Sequence, residues 1–360
     1  MNRKVKVVQF GCGRMGSICM KYALDKGAEI IGAFDMNPEV TGKDISVRTG
    51  GPETGVKISD SKEFAQKLPQ LKPDIVVVTT QSLVKDVYPI LKICAENGIN
   101  AITSCEEAIW PYNSAVKLTK ELDDIARKNN CTLAGSGAQE MQWGSMINNL
   151  AGSLNKVVKI TGETQNNVDD YGIAFANSFG AGMEMDEFNE KLASQYNLSE
   201  EEVNAQIEAG EFIPGFMWNS NTWLAERLGM TVTRQTQKLI PHPAEKDTPS
   251  STLGRVIPKG QLKGASQVVR TETQEGVVIE SAVKAVVYGP EDFEYDDWVL
   301  YGENEKLVVK LPEPPTVEMT CATLVNRIPD VINAEAGYVP TSRMPNCTYL
   351  IKSMEEYVNL

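Results

Sequence analysis

Apolar and polar positions along the first 135 residues follow two rhythms. "KVKVVQF", "AEIIGAFD", "DIVVVTT", "INAITS" and "CTLAGSG" are short apolar runs, the length and texture of strands buried on both faces. Between them, "RMGSICMKYALDKG" and "VKDVYPILKICAENG" carry helical periodicity and close on Gly27 and Gly98, and "SAVKLTKELDDIARKNN" is amphipathic. Strands alternating with such helices predict βαβ crossovers and a parallel sheet with covered faces.

From about residue 150 the pattern changes. "KVVKITGETQ" reads as a strand, and periodicity leaves "NNVDDYGIAFANSFGAGM" undecided. "SEEEVNAQIEAGEF" predicts a helix with Ser199 as N-cap and Glu202 three residues on, a capping box. "NSNTWLAERLG" predicts another. "MTVTRQTQKLI", "ASQVVRTETQEGVVIESAVKAVVY", "DDWVLYG" and "KLVVKL" then read as long strands joined by "QEG" and "GEN" turns, a mainly antiparallel open sheet. After "PEPPT" comes a helix, "VEMTCATLVNRIPDVINA", expected to be interrupted or kinked near Pro329. The predicted fold class is α/β: a Rossmann doubly wound parallel sheet over 1–145, an α+β domain over 146–314, and a helical segment over 315–360 that returns to the first domain.

Composition narrows the function classes. A chain of 360 residues, 42% hydrophobic and 23% charged, suits two domains. A net charge of −13 argues against nucleic-acid backbones and anionic membranes as partners. Seven scattered cysteines without CxxC spacing point to no disulfide framework or zinc site and to a reducing, cytoplasmic setting. The N-terminus lacks the pattern of a signal peptide. Cys12, Cys94, Cys105, Cys131 and Cys321 read as packing residues.

"VVQFGCGRMGS" places Gly11, Gly13 and Gly16 in GxGxxG spacing between a strand and a helix, with Asp35 ending the next strand 19 residues after Gly16. Gly11 permits the tight turn, Gly13 admits a pyrophosphate, and Gly16 allows close helix–strand packing. The helix N-terminus, with Arg14 and Met15, offers donors to phosphate. Asp35 would accept from both adenosine ribose hydroxyls, which favours NAD; Arg14 and Lys43 leave NADP possible.

Ligands of such sheets lie beyond the carboxyl ends of the strands. Thr79, Thr80 and Gln81 occupy one such end. Ser104, Glu106 and Glu107 occupy another. A carboxylate there can deprotonate an amine and then the water that attacks the resulting iminium. Either glutamate is a candidate base, and the other is then structural. His242, the one histidine, sits in what reads as a Pro-flanked loop and leaves little room for His-based triads or metal cages.

"GCGRMG", "TTQS", "TSCEEAIWP", "GSGAQEMQWG" and "LVNRIPDVINAEAG" together resemble the 2,4-diaminopentanoate dehydrogenase family, kin of the native amine dehydrogenases and more distantly of dihydrodipicolinate reductase. The resemblance implies NAD(P)-dependent oxidative deamination in amino-acid degradation of the ornithine-fermentation kind. It also implies a homodimer, an active-site Glu within "CEEAIWP", and a substrate pocket involving Gln139, Glu140, Gln165, Asn166 and Asp170. A diamino acid needs acid and amide groups about it, with Arg234, Arg255 or Arg270 as a carboxylate clamp. "KDTPSST" echoes a reductase motif but reads as a surface loop. Two other readings stay open: a dehydrogenase of simpler amines, aldehydes or imines, and a non-catalytic NAD sensor.

Overall fold

The computed structural model describes residues 3–359, which divide into two compact units. Unit 1 comprises the residues up to Met141 and from Pro315 onward; unit 2 is Gln142–Pro314. Unit 1 opens with β1 (Lys6–Phe10), α1 (Arg14–Asp25), β2 (Glu29–Asp35), β3 (Ile58–Asp60), α2 (Phe64–Leu71), β4 (Ile75–Val78), α3 (Val84–Glu96), β5 (Asn100–Thr103), α4 (Val116–Lys128) and β6 (Thr132–Gly135). The strands are parallel in the order β6-β5-β4-β1-β2-β3, so strand order reverses between β1 and β4.

Period-two alternation splits the sheet's side chains into two cores. Val7, Ile75, Val77 and Ile102 pack with Cys19 and Met20 of α1. Val8, Phe10, Val76 and Val78 pack with Phe64 and Leu68 of α2, Leu91 of α3 and Leu122 of α4. β3 and α2 lie in a stretch whose sequence pattern marks neither. Three residues make too short a strand to show a period, and α2 contains Pro69.

Unit 2 is a six-stranded sheet, β14-β13-β7-β12-β11-β8. Its strands are β7 (Lys159–Asn167), β8 (Val232–Pro243), β11 (Leu262–Thr273), β12 (Val278–Val286), β13 (Tyr295–Tyr301) and β14 (Lys306–Pro312), with the small hairpin β9 (Thr248–Ser250) and β10 (Arg255–Ile257) beside it. All pairs are antiparallel except β7 with β12. Helix α5 (Glu200–Ala209) starts at the Ser199–Glu202 capping box. Helix α6 (Phe216–Arg227) packs on β11 and β12, where Asn221 Nδ2 donates to Thr271 Oγ1 at 3.3 Å and Ser281 Oγ to Asn221 Oδ1 at 2.6 Å. The undecided stretch after β7 holds a short helix, Ile173–Ser178.

The last part of the chain returns to unit 1. Helix α7 (Thr316–Asn333) sets Cys321, Leu324, Val325 and Ile328 into the core shared with α1, and β15 (Gly337–Tyr338) extends the sheet beyond β6. Three expectations are corrected here. Helix α7 runs uninterrupted through Pro329, its buried face supplying the packing that outweighs the lost backbone bond. His242 lies in β8 rather than in a loop, because Pro241 and Pro243 take positions near the end of a strand paired on one side only. "KDTPSST" is likewise more than a loop. It forms β9 and the turn after it, with Ser250 Oγ, Ser251 N and Thr252 N donating to the Asp169 carboxylate at 2.6, 2.9 and 3.2 Å.

β13 turns Asp296, Trp298 and Leu300 inward. Asp296 is 1% exposed and accepts from Trp143 Nε1 at 2.9 Å. Burial pushes its carboxyl up to about 6, against the hydrogen bonds from Trp143 and Thr164. A group that holds its proton more tightly when folded adds stability at low pH and loses it as pH rises through the folded pKa. The Asp296→Asn variant should therefore gain on the wild type by about 2 kcal/mol between pH 4 and pH 7.5, measured by urea unfolding at the two pH values. Parallel pH profiles for the two proteins would contradict this.

Candidate active site

The site in unit 1 is built where strand order reverses. Gly11 adopts φ +88°, and a Cβ there would meet Thr79 O at 2.7 Å. Its N–H donates to Phe34 O at 2.8 Å, while Thr79 Oγ1 donates to Gly11 O at 3.1 Å. The ends of β1, β2 and β4 are thus tied together at one point. A Cβ on Gly16 would lie 1.9 Å from Gly11 O, so only glycine lets α1 start this close to β1. Gly13, the N-cap of α1, is exposed, makes no side-chain cap, and would meet nothing within 4 Å. That is the cradle a pyrophosphate needs: open space against uncapped helix N–H groups.

Asp35 accepts from Cys12 N at 2.5 Å and from Asn37 N at 2.7 Å, one backbone donor to each oxygen. This fixes the carboxylate and leaves lone pairs for ribose hydroxyls. Arg14 is exposed, with Nη2 4.0 Å from Glu318. Met15 is half-buried on the core, and its carbonyl accepts from Cys321 Sγ at 3.4 Å. Thr80 and Gln81 are exposed past the end of β4, and Ser104 is buried with its N–H on Val78 O at 3.0 Å.

The adjacent glutamates differ. Glu107 is 5% exposed, and its Oε2 accepts from Val84 N, the first residue of α3, at 2.6 Å. Burial pushes its carboxyl up; hydrogen bonds from Ser114 and Val84 oppose that. It serves the helix N-terminus that Leu83 leaves without a side-chain cap. Glu106 remains partly exposed as a residue, yet its carboxyl is desolvated, which pushes its pKa up against a single side-chain hydrogen bond from Ser82.

Beyond β6, Gln139 is 6% exposed and its Nε2 has no hydrogen-bond partner among the described residues. Its neighbour Glu140 is fully buried. One oxygen accepts from Ser136 Oγ at 2.6 Å; the other takes Arg327 Nε at 2.8 Å together with Arg327 Nη2. Arg327 Nη1 donates to Asp330 Oδ2 and to Pro345 O, both at 2.6 Å. Arg327 thus turns a helix face into a clamp on the segment that carries Gln139, which sequence periodicity does not reveal because an arginine in an amphipathic helix reads as exposed.

In unit 2, Gln165 Nε2 donates to Phe293 O at 2.9 Å, Asn166 is buried with its Oδ1 3.5 Å from Tyr171 Oη, and Asp170 is exposed. His242 Nε2 lies 2.7 Å from Ser266 Oγ, and burial pushes its pKa down. The three arginines expected as a carboxylate clamp are engaged: Arg234 with Glu200, Arg255 with Gly182 O and Gln261, Arg270 with Glu272 and Glu280. Among the described residues no group of His, Cys, Asp and Glu could hold a metal ion, and no helix is long and apolar enough to cross a membrane.

The Arg327→Met variant would leave Glu140 charged, buried and uncompensated, and should cost about 3–5 kcal/mol. Replacing both partners, Arg327→Met with Glu140→Leu, should recover most of that. Thermal unfolding of the three proteins checks it; equal loss in the single and double variants would show the pair is not the source.

Comparison with known proteins agrees with this architecture. The family model of the 2,4-diaminopentanoate dehydrogenase C-terminal domain matches residues 142–360. The 2,4-diaminopentanoate dehydrogenase of Acetoanaerobium sticklandii is 24% identical over 339 residues, 93% of this chain and 91% of that protein. The 4-hydroxy-tetrahydrodipicolinate reductase of Methanosphaera stadtmanae is 33% identical over 101 residues, only 27% of this chain and 36% of the reductase. The structure of amine dehydrogenase from Mycobacterium smegmatis superposes with a TM-score of 0.83 at 34% identity, covering 96% of this chain and 98% of the other. With a nucleotide cradle in unit 1 and the family's C-terminal domain after it, the chain belongs to the 2,4-diaminopentanoate dehydrogenase family and is a nicotinamide-dependent oxidoreductase of the amine dehydrogenase class.

Proposed function

We propose that the protein deaminates a diamino acid oxidatively, converting 2,4-diaminopentanoate to 2-amino-4-oxopentanoate and ammonia, with Glu106 as base and NAD as preferred cofactor. The observation that carries the assignment of the base is the contrast at the end of β5. Glu107 is committed to Val84 N, the start of α3, whereas Glu106 accepts from no helix N-terminus and has Ser82 as its side-chain donor; burial raises the pKa of both. The NAD preference rests on Asp35 at the end of β2. A homodimer in a reducing compartment follows from the family resemblance and suits seven unpaired cysteines.

When bound, the nicotinamide accepts the hydride that leaves the substrate's amine-bearing carbon. Gly13 and the first turn of α1 hold the pyrophosphate, and Asp35 the adenosine ribose. Ionised Glu106 takes a proton from the substrate ammonium, which frees the nitrogen lone pair to form an iminium. Once it has passed that proton to solvent, its regained negative charge stabilises the cation, and it next takes a proton from the attacking water. Collapse of the carbinolamine releases ammonia, so R₂CH–NH₃⁺, NAD⁺ and water give R₂C=O, NH₄⁺, NADH and H⁺. The unpartnered amide of Gln139 is a donor for a ligand oxygen, and Gln165, Asn166 and Asp170 are substrate contacts carried over from the resemblance. Glu140, held by Arg327 and Ser136, acts through the Gln139 segment rather than on substrate.

A second reading, a dehydrogenase of simpler amines, is favoured by one observation: Arg234, Arg255 and Arg270 are all held by their own chain. NADH formation from 2,4-diaminopentanoate, ornithine, lysine and a simple alkylamine separates the two. Turnover confined to the first supports the proposal, and turnover confined to the alkylamine supports the second. Glu106→Gln should lower kcat by about 10²–10⁴-fold with NADH binding intact, while Glu107→Gln, which still accepts from Val84 N, keeps most turnover. Because the base must be ionised, kcat/KM should fall with decreasing pH through a pKa above the ordinary carboxylate range. The reverse pattern in the two variants would move the role to Glu107.

A further inference from the structure

Both ends of one excursion in unit 2 are pinned to the same hairpin. Residues 169–182 leave the sheet after β7, carry the short helix Ile173–Ser178, and meet the start of β11, where Gly182 N donates to Leu262 O at 2.7 Å. At the near end the Asp169 carboxylate draws on the turn of the hairpin β9–β10. Its Oδ1 accepts from Ser250 Oγ at 2.6 Å and Thr252 N at 3.2 Å, its Oδ2 from Ser251 N at 2.9 Å, and its carbonyl from Thr252 Oγ1 at 3.2 Å. At the far end Arg255, the first residue of β10, donates from Nη2 to Gly182 O at 2.6 Å and from Nη1 to Gln261 Oε1 at 2.8 Å. A Cβ on Gly182 would lie 2.6 Å from that Nη2, so the approach is one that only glycine permits.

The "KDTPSST" stretch thus turns its donors on this chain's own carboxylate. Burial pushes the Asp169 carboxyl up, but those hydrogen bonds outweigh it and hold it below its ordinary value, so the latch is charged at neutral pH. Asn167 steadies the same end from β7, its Oδ1 accepting from Asp169 N at 3.2 Å and from Tyr288 N at 3.3 Å. Between the two pins the side chains run from solvent to core. Ile173 is 53% exposed and Tyr171 37%, while Phe179 is fully buried. Tyr171, Phe175 and Phe179 form a file of rings, with centroids 4.9 and 4.8 Å apart, that ends on Phe216 of α6 at 6.2 Å. Tyr171 Oη also lies 3.5 Å from Asn166 Oδ1 and 3.4 Å from Glu294 Oε1. The open end of this file, with exposed Asp170 beside it, offers apolar surface to an amine's carbon chain and a carboxylate to its ammonium.

We infer that Asp169 is a positioning residue for the amine: with Arg255 at the far end, it holds the 169–182 excursion as one wall of the substrate pocket without touching substrate itself. A wall that carries substrate contacts must already stand in place when substrate arrives. If it is in place only a fraction of the time, the apparent affinity falls by that fraction. The adjacent acids divide the work. Asp169 takes three donors from the hairpin, and Asp170 stays exposed to meet a ligand. The inference rests on the amine pocket proposed above, but not on which amine fills it.

Steady-state kinetics of full-length variants test it, with whichever of the four amines above the wild type turns over. Asp169→Ala should raise KM for that amine by about ten-fold or more and leave kcat within about three-fold, with NADH affinity unchanged. Asp169→Asn, which keeps one acceptor oxygen, should fall in between. Chymotrypsin should cut after Tyr171 or Phe175 faster in Asp169→Ala than in the wild type, and the amine should slow that cut in the wild type, because cleavage follows local opening. A loss of kcat at unchanged KM overturns the inference. So does a loss of NADH affinity in step with the amine, which would mark a residue of folding alone. Turnover by the wild type with the same KM in Asp169→Ala sinks the inference and leaves the amine reading standing. A wild type that binds NADH and turns over none of the four amines removes that reading and this inference together.

Discussion

The approach of α1 to the sheet at Gly16 governs what unit 1 can do. With only 1.9 Å between the Cβ a larger residue would carry there and Gly11 O, any side chain would push the helix outward and carry its N-terminal N–H groups away from Gly13. The same contact holds Gly11 O where Thr79 Oγ1 and Gln9 Nε2 reach it, at 3.1 and 2.9 Å. Gln9 is 1% exposed, a buried amide that acts as a cross-tie between β1 and β4 rather than as a core misfit. Burying a polar group is tolerable only when its donors are used, and here they fix the reversal point of the sheet. The open turn at Gly13, the Asp35 carboxylate and the end of β4 all inherit their positions from it.

Burial raises the pKa of Glu106 and Glu107 alike, but the buried carboxylates differ in the donors each one finds. Glu107 has a helix N-terminus, Glu140 has Arg327 and Ser136, and Asp35 has two backbone N–H groups. Each of these is anchored by what it accepts. Glu106 has the Ser82 side chain and its own backbone N–H to oppose desolvation. A carboxylate with few donors holds its proton more readily, and that is the property a base working near neutral pH requires.

Much of this was legible in the chain, for identifiable reasons. The βα rhythm and the Gly11-Gly13-Gly16 spacing report local physics, so the parallel sheet and its reversal point followed from them. The capping box at Ser199 and Glu202 is equally local. What escaped was contact across sequence distance. Arg327 and Glu140 are 187 positions apart, Asp169 anchors a hairpin about Ser250, and β7 pairs in parallel with β12 inside an otherwise antiparallel sheet. Pro329 and the prolines beside His242 misled because tertiary packing and a one-sided strand edge override what proline does in isolation. Of "CEE", the sequence offers two candidate carboxylates and no way to rank them; the bond from Val84 N to Glu107, which supports the proposal of Glu106, joins positions 23 residues apart.

The chain's single histidine makes the choice of base a constrained one. His242 sits between Pro241 and Pro243 with Nε2 2.7 Å from Ser266 Oγ, and burial lowers its pKa, so its ring is engaged in β8 of unit 2. The cysteines are buried or half-buried, and burial raises the thiols of Cys12, Cys94, Cys105, Cys131 and Cys347, which removes thiolate chemistry near neutral pH. For the amine oxidation proposed above, a strand-end carboxylate is well matched. In the proposed reaction the ammonium substrate and the iminium it would become are both cations, so one fixed negative charge would attract the first, stabilise the second, and be neutralised only while it carries a proton.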